Sequence, residues 1–306
     1  MTSTVPSPAS GYRGRLAPSP TGYLHLGHAR TFWAAFQRAR AAAGTLAMRM
    51  EDLDPDRSRP HYVEAAFADL RWLGIGWHEG PEIGGPYAPY AQSQRGELYL
   101  DAWRKLLRGG FIYPCRCSRK DLEAALSAPH ESNSLVGSSD PEPLDDEPIY
   151  PGTCRPATLQ PTCPDDELQD PGNCNWRFRV PDGEAVEFDD ANLGPQCFIA
   201  GSDFGDFAVW RRDGVPSYQL ACVADDAAME VTEVVRGEDL LKSTARQILL
   251  NRALGYSNPG WFHCRLVTDA NGRRLAKRHD ALSLRILRQR GFTPERILFG
   301  ELPLEV

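Results

Sequence analysis

Charged and apolar residues alternate from Arg13 to Ala17, the period of a short strand. Pro18, Pro20 and Gly22 then break the chain into a turn. After His28, Phe32, Ala35, Phe36 and Ala39 recur at helical spacing, and Gly44 reads as the helix's C-terminal cap. Thr45 to Met50 predicts a second strand that ends in the carboxylate-rich loop Glu51-Asp52-Leu53-Asp54. A second helix is expected from about Pro60 to Leu73, before Gly74, and a third from near Ser93 to Gly109-Gly110. Phe111 to Tyr113 is apolar. Ser118 with Asp121 has the pattern of a capping box opening a short helix to Leu126. Residues 127–148 are rich in Ser, Pro, Asp and Glu and read as a flexible insertion. Asn175 to Val180 and Ala185 to Phe188, joined by Pro181-Asp182-Gly183, predict a hairpin. Strand and helix patterns then alternate again. They give a strand at 207–212, a helix start at 216–223, a strand at Val231–Val235 and an amphipathic helix at Leu240–Leu254 closed by Gly255. A strand at Trp261–Val267 and two short helices near 283–290 and 294–300 follow.

This order predicts an α/β fold built on a doubly wound parallel sheet, with ligands bound at the carboxyl ends of its strands. The expected organisation is a disordered tail over 1–12, one half of the sheet domain over 13–110 and a small inserted subdomain over 111–200. The second half covers 201–260, and a loop with short helices covers 261–306. The 306 residues suffice for two domains, and 42% apolar with 25% charged content is ordinary for a globular chain. No apolar run is long enough to span a membrane and no signal pattern opens the chain, so a cytoplasmic enzyme is expected.

Net charge is −7 but is unevenly spread. Residues 1–119 carry 15 Lys and Arg against 10 Asp and Glu, residues 120–235 carry 6 against 24, and residues 236–306 carry 13 against 7. Basic ends around an acidic middle are compatible with a phosphate-facing surface. Lysine is confined to Lys105, Lys120, Lys242 and Lys277. Eight cysteines in such a chain suggest metal or free thiols before disulfides, and Cys115, Cys117, Cys154, Cys163 and Cys174 fall close together. Cys197, Cys222 and Cys264 sit among apolar residues and read as core.

The stretch His25-Leu26-Gly27-His28 lies where a strand and turn lead into a helix. Unpaired N–H groups and partial positive charge at a helix start suit a phosphate, and Gly27 permits close approach. Taken alone, the tetrapeptide fits a capped helix start equally well.

Its context is more specific. Arg15-x-Ala17-Pro18-Ser19-Pro20-Thr21-Gly22-x-Leu24-His25-x-Gly27-His28 resembles the first signature of class I glutamyl-tRNA synthetases. Glu51-Asp52-x-Asp54, Tyr218-Gln219-Leu220-Ala221 and Val235-Arg236-Gly237-x-Asp239-Leu240 resemble further motifs of that family, in the same order. Arg274-Leu275-Ala276-Lys277-Arg278 resembles its Lys-Met-Ser-Lys-Ser-type loop, with Arg at the first position and Ala at the third. The resemblance spans about residues 13–280. It implies a Rossmann-like catalytic domain that activates L-glutamate with ATP, Mg(2+) accompanying the nucleotide. His25, Gly27, His28 and Lys277 are then expected at the ATP, and His25, His28 and Lys277 in catalysis. Arg15 and Arg236 are expected to read glutamate carboxylates and Glu51 the ammonium, with Ala17, Ser19 and Tyr218 lining the pocket. A planar guanidinium selects a carboxylate over an amide.

Cys115-x-Cys117 with Tyr150-x-x-x-Cys154 resembles the zinc site of a shorter branch of this family, the glutamyl-queuosine tRNA(Asp) synthetases; Cys163 or Cys174 could replace Tyr150 as fourth ligand. Only 28 residues follow Arg278, so no anticodon-binding domain is expected, as in that branch. The branch implies glutamate activation without tRNA and transfer to the queuosine base of tRNA(Asp), by a protein expected to be monomeric. A truncated enzyme charging tRNA(Glu) at its 3′ end and a catalytically silent RNA-binding paralogue are the alternatives.

Overall fold

The computed structural model describes residues 11–118, 149–158, 170–267 and 283–300. The expected helix at 118–126 beyond its first residue, the insertion at 127–148, Cys163 and Lys277 lie outside them. Strand β1 (Arg13–Leu16) pairs in parallel with β2 (Thr45–Met48), and helix α1 (Leu26–Ala41) connects them. Later in the chain β8 (Glu233–Gly237) pairs in parallel with β9 (Gly260–Cys264) across helix α5 (Leu241–Leu254). β1 runs beside β8: Thr232 N–H donates to the Arg13 carbonyl at 2.8 Å and Arg15 Nη1 to the Val235 carbonyl at 3.0 Å. β9 is flanked on its other side by β5 (Ala185–Asp190), which carries antiparallel β6 (Gly194–Ile199). The strands therefore lie in the order β2, β1, β8, β9, β5, β6.

Alternate residues of these strands enter two different cores. Leu46, Met48 and Val235 join one with α1, α2 (Pro60–Trp72) and the terminal helices α6 (Leu284–Gln289) and α7 (Pro294–Phe299). Ala47, Val234 and Trp261 join the other with α3 (Gly96–Arg108), α4 (Tyr218–Ala228) and α5. A sheet buried on both faces by helices is the doubly wound, Rossmann-like arrangement.

The hairpin expected around Pro181-Asp182-Gly183 does not form. The turn is there, with Gly183 at φ 81° and Glu184 N–H donating to the Pro181 carbonyl at 3.1 Å. Its two strands part into different sheets. β4 (Asn175–Phe178) lies between β3 (Ile112–Cys115) and β7 (Phe207–Trp210) in an antiparallel three-stranded sheet, and β5 leaves for β9. Buried Asp206 accepts from Val180 N–H at 2.9 Å and the Tyr113 hydroxyl at 2.5 Å, which holds the chain on the β3–β4–β7 side before the turn. β7, which the sequence pattern assigns to the second half of the parallel sheet, thus pairs with the inserted region.

Gly44 is not the cap of α1. The cap is Ala42, two residues earlier, with Ala43 at φ 46° and Gly44 N–H reaching the Ala39 carbonyl at 2.8 Å. Gly44 is needed for a different reason: a Cβ there would stand 2.6 Å from the Tyr12 carbonyl oxygen and ring. Cys197 is exposed rather than core, because β6 is an edge strand; Cys222 is buried and Cys264 half-buried. Among the described residues no helix is long and apolar enough to cross a membrane.

Candidate active site

The helix-start histidines act on each other. His25 is the N-cap of α1, and its Nδ1 accepts from Gly27 N–H at 3.1 Å. His28 Nδ1 accepts from His25 N–H at 3.3 Å, and the two rings stack with centroids 3.7 Å apart. A backbone N–H can only donate, so each Nδ1 presents its lone pair, and the neutral ring carries its proton on Nε2. The capped helix start and the phosphate site are therefore compatible: capping the helix turns both imidazoles into Nε2–H donors. Gly27 permits the fold-back, since a Cβ there would meet the His25 ring at 3.1 Å.

Behind this turn lies a buried set of opposed charges. Arg49 and Glu51 are delivered beside β1 by hydrogen bonds from Arg49 N–H to Leu16 and from Glu51 N–H to Pro18, at 2.8 and 3.0 Å. Arg49 is 0% exposed; its Nη1 donates to Asp226 Oδ1 at 2.5 Å and its Nη2 to Glu51 Oε1 at 3.2 Å. Asp225 accepts from Arg95 Nε at 2.6 Å, Gln92 Nε2 at 2.8 Å and the Tyr99 hydroxyl at 3.0 Å. Arg15 Nε stands 3.5 Å from Asp226 Oδ1. Three guanidinium groups (Arg15, Arg49, Arg95) thus face three carboxylates (Glu51, Asp225, Asp226), which is how so many charges stay buried. Burial still pushes Glu51 above the usual carboxylate range, with Arg49 and Arg15 opposing it. Arg15 uses one N–H on Val235, and its Nε has no hydrogen-bond partner among the described residues.

The last strand pair supplies a second buried arginine. Arg236, at the carboxyl end of β8, donates from Nε to His263 Nε2 at 3.2 Å, from Nη1 to Gln247 Oε1 at 2.9 Å and from Nη2 to Thr244 Oγ1 at 2.7 Å. A guanidinium has five N–H groups. Two on Arg236 therefore have no partner among the described residues. Tyr218 opens α4 behind the N-cap Ser217, whose hydroxyl accepts from Leu220 N–H at 3.3 Å. The residue is 37% exposed, yet its phenol sits among the charged groups. Burial raises its pKa, Cys222 and Glu51 add to the rise, and Arg236 and Arg15 oppose it. Ala17 is half-buried and Ser19 exposed on the turn beside Glu51.

The structure therefore brings Arg15, Glu51, Tyr218 and Arg236 together, with the His25–His28 turn at the head of the neighbouring helix. Lys277 lies outside the described residues. The residues on either side of 268–282 flank the same site. Leu266 N–H donates to Glu238, just beyond Arg236, at 2.6 Å, and Leu284 N–H donates to the Leu24 carbonyl at 2.7 Å, with Ser283 bridging to His25. The supporting groups Arg49, Asp225, Asp226, Asp190, Thr244, Gln247 and His263 are not marked by the motifs. A faint signal existed: Asp225-Asp226 interrupts an otherwise apolar helix, and Arg49 stands between two methionines in a buried strand end.

Some distance along the chain, Cys115, Cys117 and Cys154 place their Sγ atoms within 4.8 Å of one another. The Tyr150 hydroxyl lies 3.5 Å from Cys115 Sγ and 3.7 Å from Cys117 Sγ, and Cys117 and Cys154 are 3.6 Å apart. Four donors about 2.3 Å or less from a tetrahedral zinc are separated by about 3.5–3.8 Å, so this donor set fits the ion. Arg177 Nε reaches Cys115 Sγ at 3.3 Å and its guanidinium lies 3.9 Å from the Tyr150 ring centroid, a cation suited to thiolates. Burial works to raise the Cys154 thiol, but hydrogen bonds from the Arg116 backbone, Tyr150 and Cys117 bring it down to about 7. Cys174, the alternative fourth ligand, is not in this group; its thiol contacts the Pro171 carbonyl at 3.6 Å.

Nearly the whole chain is similar to known proteins. Residues 12–301 match the family of class I tRNA synthetases (E and Q), catalytic domain. The glutamyl-Q tRNA(Asp) synthetase of Symbiobacterium thermophilum is 50% identical over 285 residues, which cover 93% of this chain and 84% of that protein. Glutamate–tRNA ligase 2 of Nitrosococcus oceani is 42% identical, over 92% of this chain and 57% of its own length. The crystal structure of the glutamate–tRNA synthetase from Elizabethkingia anophelis superposes with a TM-score of 0.71 at 28% identity, over 92% of this chain and 54% of that one.

Proposed function

The chain belongs to the class I tRNA synthetases for glutamate and glutamine, a family of ligases, and we propose that it activates glutamate with ATP without tRNA and passes it to the queuosine base of tRNA(Asp). In the first step a glutamate carboxylate oxygen bonds to the α-phosphorus of ATP and the bond to pyrophosphate breaks. In the second, a nucleophile of the queuosine base takes the glutamyl group and AMP leaves. Positioning and charge stabilisation carry such a reaction.

The observation that carries the reading is the pair of buried arginines with N–H donors still to be satisfied. A buried donor without an acceptor costs about 1–3 kcal/mol, which a bound carboxylate reverses. Arg15 and Arg236 read glutamate carboxylates, Glu51 receives the ammonium, and the Tyr218 hydroxyl, Ala17 and Ser19 complete the pocket. His25 and His28 donate through Nε2 to phosphate oxygens, over the backbone of Gly27. Lys277 neutralises charge developing on the leaving pyrophosphate. Cys115, Cys117, Tyr150 and Cys154 hold a zinc ion that ties two distant segments of chain together. The similarity over 84% of a glutamyl-Q tRNA(Asp) synthetase favours queuosine as acceptor. The protein acts as a monomer.

The attachment site of glutamate tests the acceptor. Queuosine-containing tRNA(Asp) is expected to become glutamylated while its 3′ ribose stays sensitive to periodate. Glutamate on the 3′ end of tRNA(Glu) would reverse the assignment, and absence of glutamate-dependent pyrophosphate exchange would make the chain a silent paralogue. In the same exchange assay Lys277→Ala lowers the rate and leaves the glutamate KM near its original value.

A further inference from the structure

We infer that His263 and Asp190 are positioning residues of the glutamate site: Asp190 fixes the tautomer of His263, and the ring's lone pair holds Arg236 for the substrate carboxylate. The inference rests on the reading that Arg236 binds glutamate.

The chain of contacts admits one proton arrangement. Asp190 closes β5 and is buried; its Oδ1 accepts from Leu193 and Asn192 N–H groups at 2.8 and 3.0 Å, and its Oδ2 from His263 N–H at 3.0 Å. Burial opposes it, but the hydrogen bond to the His263 ring and these three backbone N–H groups hold its carboxyl below the usual range, so it is ionised and can only accept. His263 is 0% exposed and its Nδ1 lies 2.6 Å from Asp190 Oδ2, so Nδ1 carries the proton. Nε2 is then a lone pair. It meets Arg236 Nε at 3.2 Å and Thr244 Oγ1 at 3.0 Å. Arg236 cannot accept a hydrogen bond, so the opposite tautomer would set N–H against N–H and a protonated ring would set one cation against another. Burial, then Arg236, push the ring down to about 4, which keeps it neutral at ordinary pH. Asn192 Nδ2 donates to the His263 carbonyl at 2.8 Å and fixes the backbone of the same residue. The network joins the inner edge of the guanidinium to β5, 46 residues before Arg236 in the chain, and leaves the remaining N–H groups for ligand.

A core histidine placed only for packing would show no preference between amides that fill its place. Asn reproduces the Nδ1 donor to Asp190 but stops short of Arg236, whereas Gln can place an acceptor oxygen near the position of Nε2. Asp190→Asn keeps the shape and offers an N–H to the ring, favouring the wrong tautomer. The test measures KM for glutamate and for ATP by pyrophosphate exchange on full-length His263→Asn, His263→Gln, Asp190→Asn and Arg236→Gln proteins, with thermal unfolding of each. His263→Asn and Asp190→Asn should raise the glutamate KM by about tenfold or more, the cost of a hydrogen bond to a charged group, and the ATP KM by less than about twofold. His263→Gln should return the glutamate KM to within about threefold of the original. Wild-type glutamate KM in folded Asp190→Asn, equal rises in both KM values, or Gln as impaired as Asn would overturn the inference. Should His263→Asn not fold, Asp190→Asn alone decides. An unchanged glutamate KM in Arg236→Gln would instead remove the reading on which the inference stands.

Discussion

The charged wall around Arg15, Arg49 and Arg236 and the cysteine group around Cys115 are both small buried clusters of polar atoms, but they are completed in opposite ways. In the wall every carboxylate has a guanidinium within reach: Arg49 with Asp226 at 2.5 Å, Arg95 with Asp225 at 2.6 Å, Arg49 with Glu51 at 3.2 Å. Its charges are matched within the fold itself. The cysteine group brings three thiols and a phenol together with Arg177 as its nearby cation. Soft donors at metal spacing, drawn from segments 33–37 residues apart, are groups that a bound ion would hold together. The first cluster is completed by its own side chains; the second brings together donors that fit a metal ion.

That contrast can be broken from either side. Arg49→Ala leaves Asp225, Asp226 and Glu51 buried without their shared cation, and a stability loss of about 3–5 kcal/mol in urea unfolding is expected. A loss under about 1 kcal/mol would mean that the wall is not self-completed. A second effect follows from His263. Its folded pKa near 4 lies below the usual 6.5, so the unfolded chain binds the extra proton first as pH falls. The stability this neutral ring contributes is complete above about pH 6.5 and is lost on the way to pH 4, about 3 kcal/mol in total. Asp69, raised by burial to about 6, works in the opposite direction over part of the same range. The difference between wild type and His263→Gln across pH therefore isolates the histidine, and a flat difference would contradict its neutral burial. The smallest change concerns the metal. Purified protein should hold about one zinc per chain, and chelation should lower stability by about 2.7 kcal/mol relative to free zinc at 100 times Kd. Cys154→Ser should abolish the chelator effect while leaving the Arg49→Ala loss intact. Chelator-insensitive wild type would make the cysteine group a plain thiol pocket.

The helices of the parallel domain were legible because their spacing, Pro60 at the first turn of α2 and Gly255 at the end of α5 are local signals. The histidines, Arg15, Glu51, Tyr218 and Arg236 can be singled out as candidates because they sit in motifs with characteristic neighbours. The Pro181-Asp182-Gly183 pattern specifies the turn but not the pairing of the strands that flank it. A turn's backbone angles are fixed by its own residues, but the strands it joins pair with whichever free edges the rest of the chain offers, here β3 and β7 on one side and β9 on the other. The partners of the buried charged groups are not legible for the same reason. Arg49 meets Asp226 across 177 positions and Asp190 meets His263 across 73. The sequence by itself determined which side chains could read a carboxylate or grip a phosphate. Tertiary packing decided which charges neutralise one another, which tautomer each histidine holds, and which N–H groups remain for the ligand, because those outcomes depend on distances that no local pattern encodes.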